Sequence, residues 1–160
     1  HAIEKDQQTR KSSIRIFGLK PLEKTEDPAK SVCDFVNSDL QLQPPLKYED
    51  IDVAHPVGPI SKNNKNEDKQ ALLCKFVKRN DKMRILKTRS LLKGSGRGIA
   101  DDICKEHMEF MKTLETHNEI EQVWFWNAKI WAKVKGTSNT INPRIHCDIE
   151  QLIRNAFLKR

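Results

Sequence analysis

Residues 70–102, QALLCKFVKRNDKMRILKTRSLLKGSGRGIADD, decide the fold. QALLCKFVK (70–78) has the composition of a β-strand. Asn80 or Asp81 is a suitable cap for a helix that buries Met83, Leu86 and Ile85. Lys93-Gly94-Ser95-Gly96 ends that helix in a glycine turn, and RGIADD (97–102) predicts a short strand. Upstream, SSIRIFGLK (12–20) predicts a strand with Ile14 and Ile16 on one face, Arg15 and Phe17 on the other, and Gly18 at its end. Asp27-Pro28 opens a helix striped by Ala29, Val32, Phe35, Val36 and Leu40, and Pro44-Pro45 stops it. DIDVAHPVG (50–58) predicts a second strand with Ile51 and Val53 inward, and SKNNKNEDK (61–69) a polar loop. The order β-α-β-β-α-β over residues 12–100 is that of a ferredoxin-like or RRM-type sheet.

Residues 101–160 predict a smaller α-β-β-α domain, and the fold class expected is α+β. Asp102 is placed to cap a helix whose apolar side is Ile103, His107, Phe110 and Leu114. QVWFWNAKIWAKVK (122–135) predicts a hairpin turning at Asn127-Ala128, with Trp126 opposite Lys129, Phe125 opposite Ile130 and Trp124 opposite Trp131. One face then carries Val123, Phe125, Ile130, Ala132 and Val134; the other carries Trp124, Trp126, Lys129, Trp131, Lys133 and Lys135. The second face combines rings for stacking with ammonium groups for phosphates, although it also suits indoles in a core with lysines snorkelling at its edge. Asp148 caps a last helix striped by Ile149, Leu152, Ile153 and Ala156. Residues 1–11 are polar and aperiodic, and are expected to be a tail or the end of an upstream coiled coil.

Charge is the strongest functional signal. The 160 residues carry a net +7, yet residues 69–97 alone hold ten Lys/Arg (Lys69, Lys75, Lys78, Arg79, Lys82, Arg84, Lys87, Arg89, Lys93, Arg97) against one acid, Asp81. Cation density of one sign repels itself, and a polyanion relieves that repulsion. Other classes find little support. The chain has no apolar run of the roughly 18 residues that span a bilayer. Ser95 in GSGRG lacks the strand-turn-helix context of a nucleophile elbow, and GSGRG lacks the Lys-Ser/Thr ending of a P-loop, so no enzyme is expected. Cys104-x-x-His107 and His146-Cys147 contain no CxxC knuckle, so neither a metal nor another cofactor is expected. Cys33, Cys74, Cys104 and Cys147 are widely spaced and are read as free thiols.

The succession SSIRIFGL, IDVAHPVG, ALLCKFVKRNDKMRILKTRSLLKG, a helix, then VWFWNAKIWAKV resembles the first open-reading-frame protein of LINE-type (non-LTR) retrotransposons over roughly residues 12–157. It is similar, more distantly, to the baculovirus few-polyhedra protein. The resemblance implies a noncanonical RRM and a C-terminal domain that together clamp single-stranded RNA or DNA in a basic cleft. It also implies nucleic-acid chaperone activity in a cytoplasmic, and in part nuclear, ribonucleoprotein particle. Self-association would run through an upstream coiled coil outside this chain. Residue by residue, the resemblance points to Lys11, Arg15, Lys62, Lys65, Lys69, Lys75, Arg89, Lys112 and Trp124 or Trp126. The charge run and the hairpin add Arg79, Lys82, Lys87, Lys93, Arg97, Lys129, Trp131 and Lys133. Where relatives read His-Arg-Val-Gly this chain has His55-Pro56-Val57-Gly58, and its hairpin turn is Asn-Ala rather than Asn-Gly. Arg15 stands at the usual aromatic position of the first strand, so backbone contact by cations is expected in place of a two-base stacking platform. The alternative is an assembly module whose basic face docks an acidic partner or a sister protomer.

Overall fold

The computed structural model describes residues 2–158, and the chain is α+β. Its helices and strands are α1 (Ala2–Thr9), β1 (Ser13–Phe17), α2 (Pro28–Asp39), β2 (Ile51–Lys62), β3 (Asp68–Phe76) and α3 (Arg79–Lys87). They continue with β4 (Gly98–Asp101), α4 (Lys105–Glu115), β5 (Ile120–Trp126), β6 (Lys129–Val134), β7 (Thr140–Ile141) and α5 (Ile149–Leu158). Two compact units result: Arg10–Asp102 forms one, and residues 2–9 with residues 103–158 form the other.

The Arg10–Asp102 unit has the β-α-β-β-α-β order, and its antiparallel sheet runs β2-β3-β1-β4. Alternation along β1 buries Ile14 and Ile16 completely, beside Leu72, Cys74 and Phe76 of β3 and Ile99 of β4. Helices α2 and α3 pack on this face through Val32, Phe35, Val36, Ile85 and Leu86. The Asp27 carboxylate accepts the Ala29 amide at 3.0 Å, as expected of an N-cap followed by proline. Burial pushes the Cys74 thiol up to about 12, so this cysteine is a packing residue and not a nucleophile.

Three expectations for this unit are corrected. Val53 is exposed, because the pairing slips between Ile51 and Val53. One extra residue in a strand reverses the side of everything after it. Helix α3 begins after Lys78, not at Asn80 or Asp81, and Asp81, Lys82, Ile85 and Leu86 are its buried residues while Met83 is only partly covered. Asp102 is not the cap of α4, whose N-cap is Cys104. Its buried carboxylate instead accepts from Arg10 Nη1 at 3.0 Å and Arg15 Nε at 3.2 Å.

The other unit holds a three-stranded sheet ordered β5-β6-β7, one short strand more than expected. The expected hairpin register is present: Trp124 opposite Trp131, Phe125 opposite Ile130, Trp126 opposite Lys129. Phe125, Ile130, Ala132 and Val134 are buried; Ile153 and Ala156 of α5 pack with Ala132 and Val134, while Phe125 and Ile130 pack with Leu114 of α4. Residues 1–11 are not simply a polar tail. Helix α1 lies within them, and its fully buried Gln7 accepts the Cys104 amide at 2.9 Å and the His107 Nδ1–H at 3.0 Å through Oε1. A polar side chain buried at the start of α4 leaves no apolar periodicity to read.

Asn127 and Ala128 have φ of +57° and +62°, the pattern of a type I′ turn. Asn tolerates this region; alanine does not, because its Cβ crowds the backbone. Ala128→Gly is therefore expected to stabilise the protein by about 1 kcal/mol. A higher urea midpoint at unchanged m would show it, and an unchanged midpoint would refute it.

Candidate nucleic-acid interface

Alternation places Arg15 and Phe17 of β1 on the sheet face that α2 and α3 leave open. Leu73 pairs with Arg15, and Lys75 pairs with both Ser13 and Val53. By the same parity Lys69 and Ala71 face outward from β3, and His55 and Val57, opposite Leu73 and Ala71, face outward from β2. No carboxylate is among these outward strand residues, and the acid that reaches Arg15, Asp102, is shared with Arg10, so the face is cationic with apolar patches between its charges. Arg15 gives Nε to Asp102 yet keeps 36% of its side chain exposed. The bond to a buried acid fixes the guanidinium against the sheet and leaves its free edge to solvent.

The ten cations of the charge run do not form one surface. Lys69 and Lys75 are on the open face. Helix α3 lies behind the sheet, so the exposed Lys87 is carried on the opposite side, followed by exposed Arg89 and Lys93. Arg84 is held by the Asp81 carboxylate and the Pro44 carbonyl. Arg97 pairs with Asp39 and lies over the Phe35 ring. Arg79 is partly covered, and its Nε is buried without a hydrogen-bond partner. Lys82 is withdrawn from the interface altogether. Its side chain is 2% exposed, and its Nζ donates to Asp101 Oδ1 at 2.6 Å. A helix stripe of charges does not reveal which member turns inward when its partner lies in another strand.

Of the remaining candidates, Lys11 and Lys65 are exposed, and Lys62 is shared with Asp68 at 2.9 Å on the surface. In the other unit Lys112 and Lys129 are exposed, and Lys133 pairs with Glu121 at 3.0 Å. All three tryptophans are partly exposed. Trp131 spends its Nε1–H on the Trp126 carbonyl at 3.0 Å, which ties the ring to the end of the hairpin. Trp131 thus presents ring surface with its donor already satisfied, suited to stacking more than to hydrogen bonding.

No family model and no curated protein matches this chain. Among the described residues, no helix is long and apolar enough to cross a membrane. Asp6, Cys104 and Glu106 bring one possible ligand atom each to within 4.8 Å of one another. Burial raises the Cys104 thiol, the His107 backbone amide pulls it down, and the Glu106 and Asp6 charges push it up again. His107 is not available to complete a set, since Gln7 and Glu4 flank its two ring nitrogens.

One residue of the open face was not among the sequence candidates. Phe17 is 43% exposed beside Arg15's strand neighbours. Its signal was present in the alternation of SIRIF, where it shares a face with Arg15. The usual aromatic position, two residues earlier, is held by Arg15.

Proposed function

We propose that this chain binds single-stranded RNA or DNA with little regard to sequence and acts as a nucleic-acid chaperone in a ribonucleoprotein particle of the LINE-type retrotransposon class. The observation that supports it best is the open sheet face. Lys69 and Lys75 stand on it together with Arg15, whose Nε is held by Asp102, and Phe17 is exposed at the end of β1. Cations set among apolar surface suit a flexible polyanion whose bases are unpaired. The partly exposed indoles of the hairpin, next to Lys129 and Lys133, supply a second surface of the same chemistry. The retrotransposon setting and the chaperone role rest on the resemblance in motif order.

The test is a titration of a fluorescent single-stranded oligonucleotide at several ionic strengths. If Arg15, Lys65, Lys69 and Lys75 each neutralise a phosphate, log K falls against log[salt] with a slope of about −3, from about −0.7 per contact. Lys75→Ala weakens binding to every sequence alike and lowers the slope by about 0.7. A flat salt response removes the proposal. Self-association of the chain without any oligonucleotide effect, read by light scattering, favours docking of an acidic partner or a sister protomer instead.

A further inference from the structure

Two clefts of the Arg10–Asp102 unit meet at one corner of the sheet and share Gly18 and Lys69. The first, of about 390 Å³, is walled by Phe17, Arg15, Val57 and Pro59 and floored by the strand backbone. The second, of about 560 Å³, lies between Lys65 and Lys69 on one side and the glycine turn 94–97 on the other. Both volumes are in the range of small-ligand sites. One is apolar with an exposed ring; the other is polar, with Lys65, Lys69 and Arg97 against the single acid Glu67. This is the division a nucleotide has between its base and its phosphate.

The turn is pre-shaped. Ser95 Oγ donates to the Leu92 carbonyl at 2.6 Å and accepts the Arg97 amide at 3.2 Å. Gly94 and Gly96 hold positive φ, and a side chain at either would meet open space. The backbone is therefore accessible to a phosphate at this point, as glycine-rich turns allow. Glu67 is the one acid of the cleft, and its carboxylate already accepts from Asn63 Nδ2 at 3.3 Å.

We propose that this corner holds one nucleotide of the bound strand, its base laid on Phe17 and its phosphate between Lys69, Lys65 and the turn 94–97. The assignment rests on the reading of the chain as a single-strand binder and makes it more specific. One base is engaged at a defined place, two residues along β1 from the position an RRM ordinarily uses. The phosphate contact is non-specific, so the corner fixes the register of the strand without selecting a sequence.

The test uses the full chain and a short oligouridine carrying one 2-aminopurine, beside the same backbone with an abasic residue at that place. Wild type should quench 2-aminopurine on binding. Phe17→Ala should lose the quenching and bind the base-bearing oligonucleotide roughly 5- to 100-fold more weakly, the range for one stacked base, with an unchanged salt slope. Phe17→Trp should retain both, and wild type and Phe17→Ala should bind the abasic strand equally. Lys69→Ala should lower the salt slope and leave the quenching of the bound strand. If Phe17→Ala matches wild type on the base-bearing strand, the corner is not a base site, although salt-dependent binding by the open face would stand. If wild type binds no oligonucleotide at any ionic strength, the broader reading has failed first and the corner falls with it.

Discussion

Gly18→Ala is expected to destabilise the protein by about 3–5 kcal/mol, combining backbone strain with a clash that packing cannot absorb. Two separate conditions meet at this residue. Its φ of +86° is outside the region an L side chain adopts readily. A Cβ built there would overlap the Gly96 carbonyl oxygen and lie 2.9 Å from Arg97 Cα, and both are backbone atoms that cannot rotate away. Gly96 provides the control. Its φ is +79° and nothing is near a Cβ added to it, so Gly96→Ala meets only the conformational cost of about 1–2 kcal/mol. Urea denaturation of the two variants separates the effects. Equal losses would mean that the end of β1 does not abut the turn. Since native domains are stable by only about 5–15 kcal/mol, the Gly18 variant should also show a much lower thermal midpoint.

The second large effect is expected at Lys82. Replacing it with Met removes the partner of Asp101, whose carboxylate stays buried, and should cost about 3–5 kcal/mol. Asp101→Leu should cost a similar amount for the mirrored reason, since it leaves the Lys82 ammonium buried without that partner. The double variant Lys82→Met/Asp101→Leu should lose much less than the two single losses added, because no orphan charge remains. The folded fraction of the Lys82 variant should bind oligonucleotide with an unchanged salt slope. A reduced slope would show instead that Lys82 reaches a phosphate.

These two residues mark where a one-dimensional reading ends. Sequence marks Gly18 as the end of a strand and GSGRG as a glycine turn, and both are so. That they touch is a matter of chain trajectory across 78 residues, for which local propensity has no signal. Lys82 looked like one cation among ten, because a stripe of lysines and arginines has the same composition whether a member faces water or a carboxylate in a distant strand. Asp102 misled in a similar way. An acid before an apolar helical stripe is a good cap, but here two arginines from near the start of the unit claim it. The elements that were legible are those specified by neighbours in sequence. The hairpin register followed from alternation around a two-residue turn, and the α2 start followed from Asp27-Pro28. The inward side of β2 was lost at a single slipped pairing after Ile51, since parity reverses there and no residue type announces it. For the interface, alternation along β1 sets Arg15 and Phe17 apart from Ile14 and Ile16, whereas the charge count alone does not separate the open face from the helices behind it.

The place of helix α1 has a consequence for anyone dividing this polypeptide. Gln7 joins its own unit by bonds to residues 97 and 100 positions further on. The Arg10–Asp102 unit is thus spliced into the interior of its neighbour, not strung before it. A truncation beginning at residue 103 would strip the Cys104 amide and the His107 ring of their common acceptor. On the ribosome, helix α1 must wait for the whole of the intervening unit to emerge before Gln7 has anything to hold.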